Sequence, residues 1–447
     1  MTEAFIQRSS RSAPASRHYL FLQGNAGPFF RALGNGLADA GARVSRVNFC
    51  GGDRLFWGDW NAVDYKGRAA DFGGWIADLY DRTAVTDIIL YNDCRANHRM
   101  AIEAARVRGL GIFIYEEGYL RPNWLTLERE GINGYSRLPD DPDWYRAMAA
   151  RLPAFDAGTP VGSPISLRAW YDFQWQVVNY FHPLRYPHYR THRPYPIWAE
   201  YATWATRLAT IKWRGAQARA VVEQVTGGQR PYFLLPLQLD SDTQIRVHSA
   251  FARLPAAVDA IIADFAAHAP ADALLVVKIH PLDNGWINYR RLVRKQARHV
   301  GVEDRVLFID GGDLNRLIDH ARGTVTINST VGMTAVQRGC ATIALGRAIY
   351  DMPGLTFQGP LAEFWQRPER PDPALYEAFR VVVLHACMVN GNFYSEDGVR
   401  LAVANSVPRL LGGADLLADA PPRRGRPETR LAVPAACSKA ACSNEDQ

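Results

Sequence analysis

The sequence predicts an α/β protein with two Rossmann-like domains facing a central cleft. Three observations carry this expectation. Short β-rich apolar runs alternate with stretches whose apolar residues recur at helical spacing, in both halves of the chain. Strand, helix, strand repeated in this way implies parallel sheets with right-handed crossovers. A length of 447 residues with 48% hydrophobic content favours two domains, each with a core of its own.

Taken in order, residues 1–17 are mostly polar and are expected to be flexible. In the first half the strand candidates are 18–22, 42–48, 87–91 and 111–115, with helices at 29–40 and 98–108 between them. Residues 152–229 are different. They interleave Trp170, Tyr171, Phe173, Trp175, Tyr180, Phe181, Tyr186 and Tyr189 with Arg and His, and read as a mostly helical linker. The second half offers strands at 232–237, 273–279, 305–309, 324–327 and 341–345, separated by helices at 245–267, 287–297, 314–320 and 332–338. After about residue 412 the composition turns to Ala, Pro, Arg and Ser, as in a disordered tail. The expected division is therefore 18–225 with its aromatic linker, 226–411, and a tail at 412–447.

Charge and composition narrow the function. The formal net charge is +6, from 51 Lys+Arg against 45 Asp+Glu. This fits an anionic substrate or an anionic membrane surface. No long Lys/Arg block is present, which argues against nucleic acid. The first 16 residues lack the apolar core of a signal peptide, and no run of about 18 apolar residues exists to cross a bilayer. The six cysteines are scattered without a CxxC pair, so neither structural zinc nor a disulfide framework is expected. The cytoplasm is the expected compartment.

Three strand ends in the second half hold most of the chemistry. Gln238, Asp240 and Asp242 follow the run that ends at Leu237. One Asp can face the crevice while the other caps the next helix, although Asp is equally at home in turns and caps. Lys278 and His280 end the most apolar run and would share one face by alternation. Pro281 then stops the pairing. A cationic pair there suits a phosphate, and His can protonate a leaving phosphate; a strand-end His held by a backbone carbonyl is the plainer alternative. Asn328, Ser329 and Thr330 stand between a strand and a helix, with Thr330 as the expected cap and Ser329 facing outward with the first amides. There is no Walker pattern and no GxGxxG, so ATP and dinucleotides are poor candidates.

In the first half, Glu116, Glu117 and Arg121 lie in a stretch read as a loop after a strand, where one Glu can serve as general base. Glu–Arg pairing in a turn is the simpler reading. Asp93 follows another strand and would line the same cleft.

Together these segments resemble the capsular polysaccharide biosynthesis proteins of the KpsS type. The resemblance rests on Glu-Glu-Gly-Tyr-Leu-Arg (116–121), Gln-Leu-Asp-Ser-Asp-Thr-Gln-Ile-Arg (238–246), Lys-Ile-His-Pro (278–281) and Asn-Ser-Thr-Val-Gly (328–332), in that order. It runs from about residue 18 to about 411. It implies a GT-B-like fold, with 18–225 as the acceptor side and 226–411 as the nucleotide-sugar side. It also implies a retaining β-Kdo transferase that moves Kdo from CMP-Kdo to a phosphatidylglycerol-type lipid, starting a poly-Kdo linker at the cytoplasmic face of the inner membrane. On this resemblance Asp242 is the nucleophile, with Asp240 an open alternative because Ser241 stands between them. His280, Ser329 and Thr330 bind the CMP phosphate. Glu117, or else Glu116, is the acceptor-side base.

Lys278, Gln238, Asn328 and Asp93 join as binding residues, and Arg121 and Arg246 as partners for a carboxylate or lipid phosphate. No cofactor and no metal are expected, although Asp240-x-Asp242 has the form of a metal motif. A KpsC-type transferase and the capsule export machinery are the implied partners. The competing readings are a transferase for another CMP- or UDP-sugar and a non-catalytic capsule assembly or export subunit.

Overall fold

The computed structural model describes residues 17–162, 164–191, 197–240, 243–423 and 430–431. Its strands, in chain order, are β1 (His18–Phe21), β2 (Arg43–Asn48), β3 (Ala62–Asp64), β4 (Asp87–Tyr91), β5 (Gly111–Glu117), β6 (Trp124–Arg129), β7 (Tyr232–Pro236), β8 (Leu274–Lys278), β9 (Val306–Ile309), β10 (Gly323–Thr326), β11 (Thr342–Ala344) and β12 (Met388–Asn390). They form two sheets in two compact units. The first unit holds residues 1–130, 157–190 and 388–415; the second holds 131–156, 191–387 and 416–447.

The sheet of the first unit runs β12-β6-β5-β4-β1-β2-β3. β3, β2, β1, β4 and β5 are parallel, with Tyr19 opposite Val44 and Ile89 opposite Phe113. β6 and β12 add an antiparallel edge. Buried Tyr19, Phe21, Phe29, Ile89, Phe113 and Tyr115 form its core. Covered on both faces, such strands read as near-continuous apolar runs, as at Asp87-Ile-Ile-Leu-Tyr91.

The second sheet is wholly parallel, in the order β11-β10-β7-β8-β9. Its central strands, Tyr-Phe-Leu-Leu-Pro and Leu-Leu-Val-Val-Lys, are buried along their length. Phe233, Val277, Phe265 and Trp365 anchor the core on one side, and the indole of Trp365 donates to Asp264 at 2.6 Å.

Read outward from the first strand, each sheet contains the order 3-2-1-4-5 of doubly wound folds. Chain connectivity reverses between its first and fourth strands, and the carboxyl ends there form the crevice where such sheets bind ligands. In the first unit the crevice lies between β1 and β4; in the second it lies between β7 and β10.

The α/β class and the main strands are as expected, but several details differ. Residues 131–156 belong to the second unit and 388–415 to the first, so neither unit is a single stretch of chain. The expected helix at 245–267 is two helices, Thr243–His248 and Leu254–His268. The Ser249 hydroxyl accepts the Phe251 amide and donates to the Ile245 carbonyl, competing with the helical bonds. Pro255 then sits in the first turn of the second helix, where it is tolerated.

Part of the expected tail is anchored. The Arg430 guanidinium pairs with Asp351 at 2.8 Å and donates to the Ala344 carbonyl and to Gln358, while Leu431 joins the core of the second unit. Among the described residues no helix is long and apolar enough to cross a membrane.

Candidate functional site

At the β7/β10 crevice, Gln238 follows the end of β7 and Asn328 follows the end of β10. The two bond reciprocally. The Gln238 amide donates to Asn328 Oδ1 at 2.9 Å, and the Asn328 backbone N–H donates to Gln238 Oε1 at 3.3 Å. The bridge ties the two strand ends together and holds the turn that starts the helix Thr330–Gln337.

Ser329 caps that helix, its hydroxyl accepting the Val331 amide at 3.2 Å. The expected cap, Thr330, is instead the first helical residue. Ser329 has the extended backbone (φ −66°, ψ 147°) that a cap requires. The Tyr350 hydroxyl donates to the Ser329 carbonyl at 2.6 Å. A Cβ at Gly332 would collide with that hydroxyl, so this position needs glycine for close approach rather than for an unusual φ.

The other candidates of this unit lie on neighbouring strand ends. Asp240 is buried and takes an ion pair from Arg253 at 2.8 Å. Asp242 lies outside the described residues, as does Ser241. Arg246 is exposed on the helix Thr243–His248.

β8 stops at Lys278, so strand alternation does not align Lys278 with His280. Lys278 is buried. Burial lowers its pKa, and the Asp310 carboxylate opposes that shift. Asp310 is itself held by Arg207 at 3.0 Å and by Arg214. His280 lies just past the strand, and its Nδ1 accepts the Leu282 N–H at 3.0 Å. That bond assigns the hydrogen of the neutral ring to Nε2. In this tautomer the ring donates a hydrogen bond through Nε2, and protonating Nδ1 would break its bond to Leu282.

In the first unit Glu116 and Glu117 are the last two residues of β5, not a loop, because β6 extends the pairing to Thr126 and Leu125. A Cβ at Gly118 would meet the Trp124 carbonyl, so glycine allows the tight return into β6. Alternation sends the two carboxylates to opposite faces. Glu116 accepts from Asn92 Nδ2 at 2.8 Å and from the Glu117 amide at 3.1 Å. Burial raises its pKa despite those two bonds, and the Glu117 charge adds to the rise.

Glu117 instead pairs with Arg168 at 3.1 Å and accepts from the Tyr394 hydroxyl at 3.2 Å. Burial works against the Arg168 charge, but Tyr394 and Glu117 outweigh it and its pKa rises. The arginine expected to pair here, Arg121, is exposed and donates to the Gly118 carbonyl at 3.3 Å.

Asp93 is buried and accepts from the Cys94 thiol. Asn92 has φ 65°, a left-handed conformation that Asn tolerates. Its side chain is the partner of Glu116, a pairing that the sequence alone does not show although Asn92 stands in the same strand-end segment as Asp93. Arg168 and Tyr394 were also missed; they come from remote segments and carry no local signal. Two surface depressions, of about 640 Å³ beside β3 and about 320 Å³ between residues 134–137 and 417–423, are lined by none of the candidates.

The comparisons agree with the sequence pattern. Residues 86–394 match the family described as capsule polysaccharide biosynthesis protein, and the chain belongs to that family. It is 33% identical over 389 residues to the capsule polysaccharide export protein KpsS of Escherichia coli, covering 85% of this chain and 97% of the relative. It is 31% identical to the capsule polysaccharide modification protein LipB of Neisseria meningitidis serogroup B, over 86% of this chain and 93% of that one. Among solved structures it is similar to the β-Kdo 2,7 transferase part of Thermosulfurimonas dismutans KpsC, with a TM-score of 0.42 and 12% identity over 88% of this chain and 99% of that one.

Proposed function

We propose that the protein is a GT-B-like retaining β-Kdo transferase. It moves Kdo from CMP-Kdo to a phosphatidylglycerol-type lipid at the cytoplasmic face of the inner membrane. The observation that carries this reading is the Gln238–Asn328 bridge at the β7/β10 crevice. It fixes a capped helix start, suited to a nucleotide phosphate, beside the strand end that precedes Asp240, Ser241 and Asp242 in the sequence.

In the first step the Asp242 carboxylate attacks the anomeric carbon. The bond from that carbon to the CMP phosphate oxygen breaks, and its electron pair leaves with CMP. His280 donates a hydrogen bond through Nε2 to the departing phosphate, and the Ser329–Thr330 turn supplies amides. In the second step the lipid hydroxyl attacks the same carbon. Its proton passes to Glu116, and the Asp242 carboxylate is released. Two inversions give retention. CMP is already a good leaving group, so the chemistry requires neither a metal nor a cofactor.

Of the two carboxylates, Glu116 is the better base, since burial raises its pKa above the ordinary carboxylate value and Glu117 is committed to Arg168. Purified protein incubated with CMP-Kdo and a short-chain phosphatidylglycerol should release CMP and form a Kdo-lipid, and Asp242→Ala should abolish both. If well-folded protein yields neither product, the proposal fails.

The E. coli relative is named for export, which favours a second reading: a non-catalytic capsule assembly subunit working with a KpsC-type transferase or the export machinery. Capsule formation that survives Asp242→Ala in cells would support that reading. Donor-induced thermal shifts across CMP and UDP separate CMP-sugars from UDP-sugars.

A further inference from the structure

The helix Ile165–Phe181 in the first unit is apolar on two faces. Its inner face is packed: Trp175 is buried, Asn179 Oδ1 accepts the Gly52 amide at 2.8 Å, and the Tyr171 and Trp175 rings lie against Phe56. A Cβ at Gly52 would collide with Trp175, so the helix is seated as closely as its partner allows. Its outer face carries Trp170 at 53% exposure, Phe173 at 45%, Tyr180 at 76% and Phe181 at 72%, and Leu184 just beyond the helix is 96% exposed. These residues recur at helical spacing and form a stripe roughly 20 Å long at 1.5 Å per residue. Trp170 and Phe173 stack on each other at 5.8 Å between ring centroids.

A helix apolar all round is normally buried, and a stripe of this size on a protein surface marks a binding face. Its composition selects the partner. Tyr and Trp have apolar rings with polar tips suited to a membrane–water boundary. Within residues 165–190 Arg168 and Arg185 pair with Glu117 and Asp64, and it is Arg190 together with the chain's net charge of +6 that complements anionic headgroups.

We propose that this stripe seats the protein on an anionic phospholipid bilayer. The inference rests on the lipid-acceptor reading above. It adds the surface that makes the contact and its link to the chemistry, since Arg168 on the same helix is the partner of Glu117 at the end of β5.

Sedimentation with vesicles of equal parts phosphatidylglycerol and phosphatidylcholine, against phosphatidylcholine alone, tests it. The full-length protein should pellet with the anionic vesicles. The triple variant Trp170→Ser/Phe173→Ser/Phe181→Ser should lose at least about tenfold in partitioning, with its melting temperature and CMP-induced thermal shift kept. Leu184→Asp, at a position almost fully in water, should also weaken binding and guards against misfolding of the triple variant. Transfer to a monomeric short-chain phosphatidylglycerol should be unchanged in both.

Vesicle binding retained by both variants overturns the proposal. Loss of transfer to the monomeric lipid also overturns it, because the stripe would then belong to the acceptor site. A wild-type dimer that the triple variant abolishes overturns it in favour of a second copy of the chain. Vesicle binding without any transfer leaves this proposal standing and ends the transferase reading; transfer without vesicle binding does the reverse.

Discussion

The two sheets share a strand order and so present equivalent crevices, yet they fill them differently. Between β1 and β4, buried Gln23 donates to Asp53 at 3.0 Å and accepts from Arg95 at 2.9 Å. Asp53 also pairs with buried Arg46 at 2.8 Å and accepts the Phe49 amide at 2.9 Å. Between β7 and β10, Gln238 bonds the neutral side chain and backbone of Asn328. One crevice is closed with the protein's own charges. The other carries a Gln–Asn amide bridge beside a helix start, the kind of end that attracts anions. The same topology can therefore yield a rigid support or a ligand seat, and the second residue after the first strand, a glutamine in both, does not decide which; its partners do.

The largest expected effect tests the closed crevice. Asp53→Ala strands the Arg46 guanidinium in the core and should cost about 3–5 kcal/mol in urea unfolding. A loss below 1 kcal/mol would show that the charge network is not what holds this crevice.

Next, Glu116→Gln should lower kcat for Kdo transfer by roughly 10²–10⁴ with little change in donor affinity. Its pH behaviour has a definite sign. The folded pKa of Glu116 is raised above the unfolded value, so the native state holds the extra proton between the two, and stability falls as pH rises through that window. The glutamine variant should lose that slope and be at least as stable at neutral pH. Activity should rise as Glu116 deprotonates, and an unchanged pH profile in the variant would remove it as the base.

A paired experiment separates the crevices directly. Gln238→Ala should weaken CMP binding by about 1–3 kcal/mol, measured by calorimetry, whereas Gln23→Ala should reduce stability by a similar amount and leave CMP affinity alone. Equal effects on CMP would erase the distinction drawn here. The smallest change is Ser329→Ala, which removes a helix cap and should cost about 1 kcal/mol in stability, with a modest loss of CMP affinity.

The legible part of this molecule was the part whose signal is local. The buried runs at β1, β2, β4, β7 and β8 announce themselves, and the polar residues that follow them mark the crevices. β6 was missed because Thr126 and Glu128 interrupt its apolar pattern. Both are buried, and both are satisfied by the neighbouring return: Thr126 donates to the Glu117 carbonyl, and Glu128 accepts from the Tyr119 hydroxyl at 2.6 Å. β3 and β12 are three residues each, too short for a period.

At the site, Gln238 and Asn328 were named as ligand contacts, but their bond to each other depends on β7 and β10 being neighbours, which spacing alone does not reveal. Lys278 is expected at a phosphate because it stands beside His280; its burial, with Asp310 opposing the downward shift of its pKa, is not visible in the sequence. Arg430 and Leu431 sit in a stretch whose composition reads as tail, and only their distant partners give them a place.

The pairing of β12 with β6 has a consequence for biosynthesis. A ribosome that has delivered residues 1–225 has released a sheet still lacking its last strand, with the outer side of β6 unpaired until residue 390 emerges. Fragments truncated before Met388 should therefore be captured by chaperones or aggregate through that open border, and a nascent chain should pass its protease-sensitive stage late.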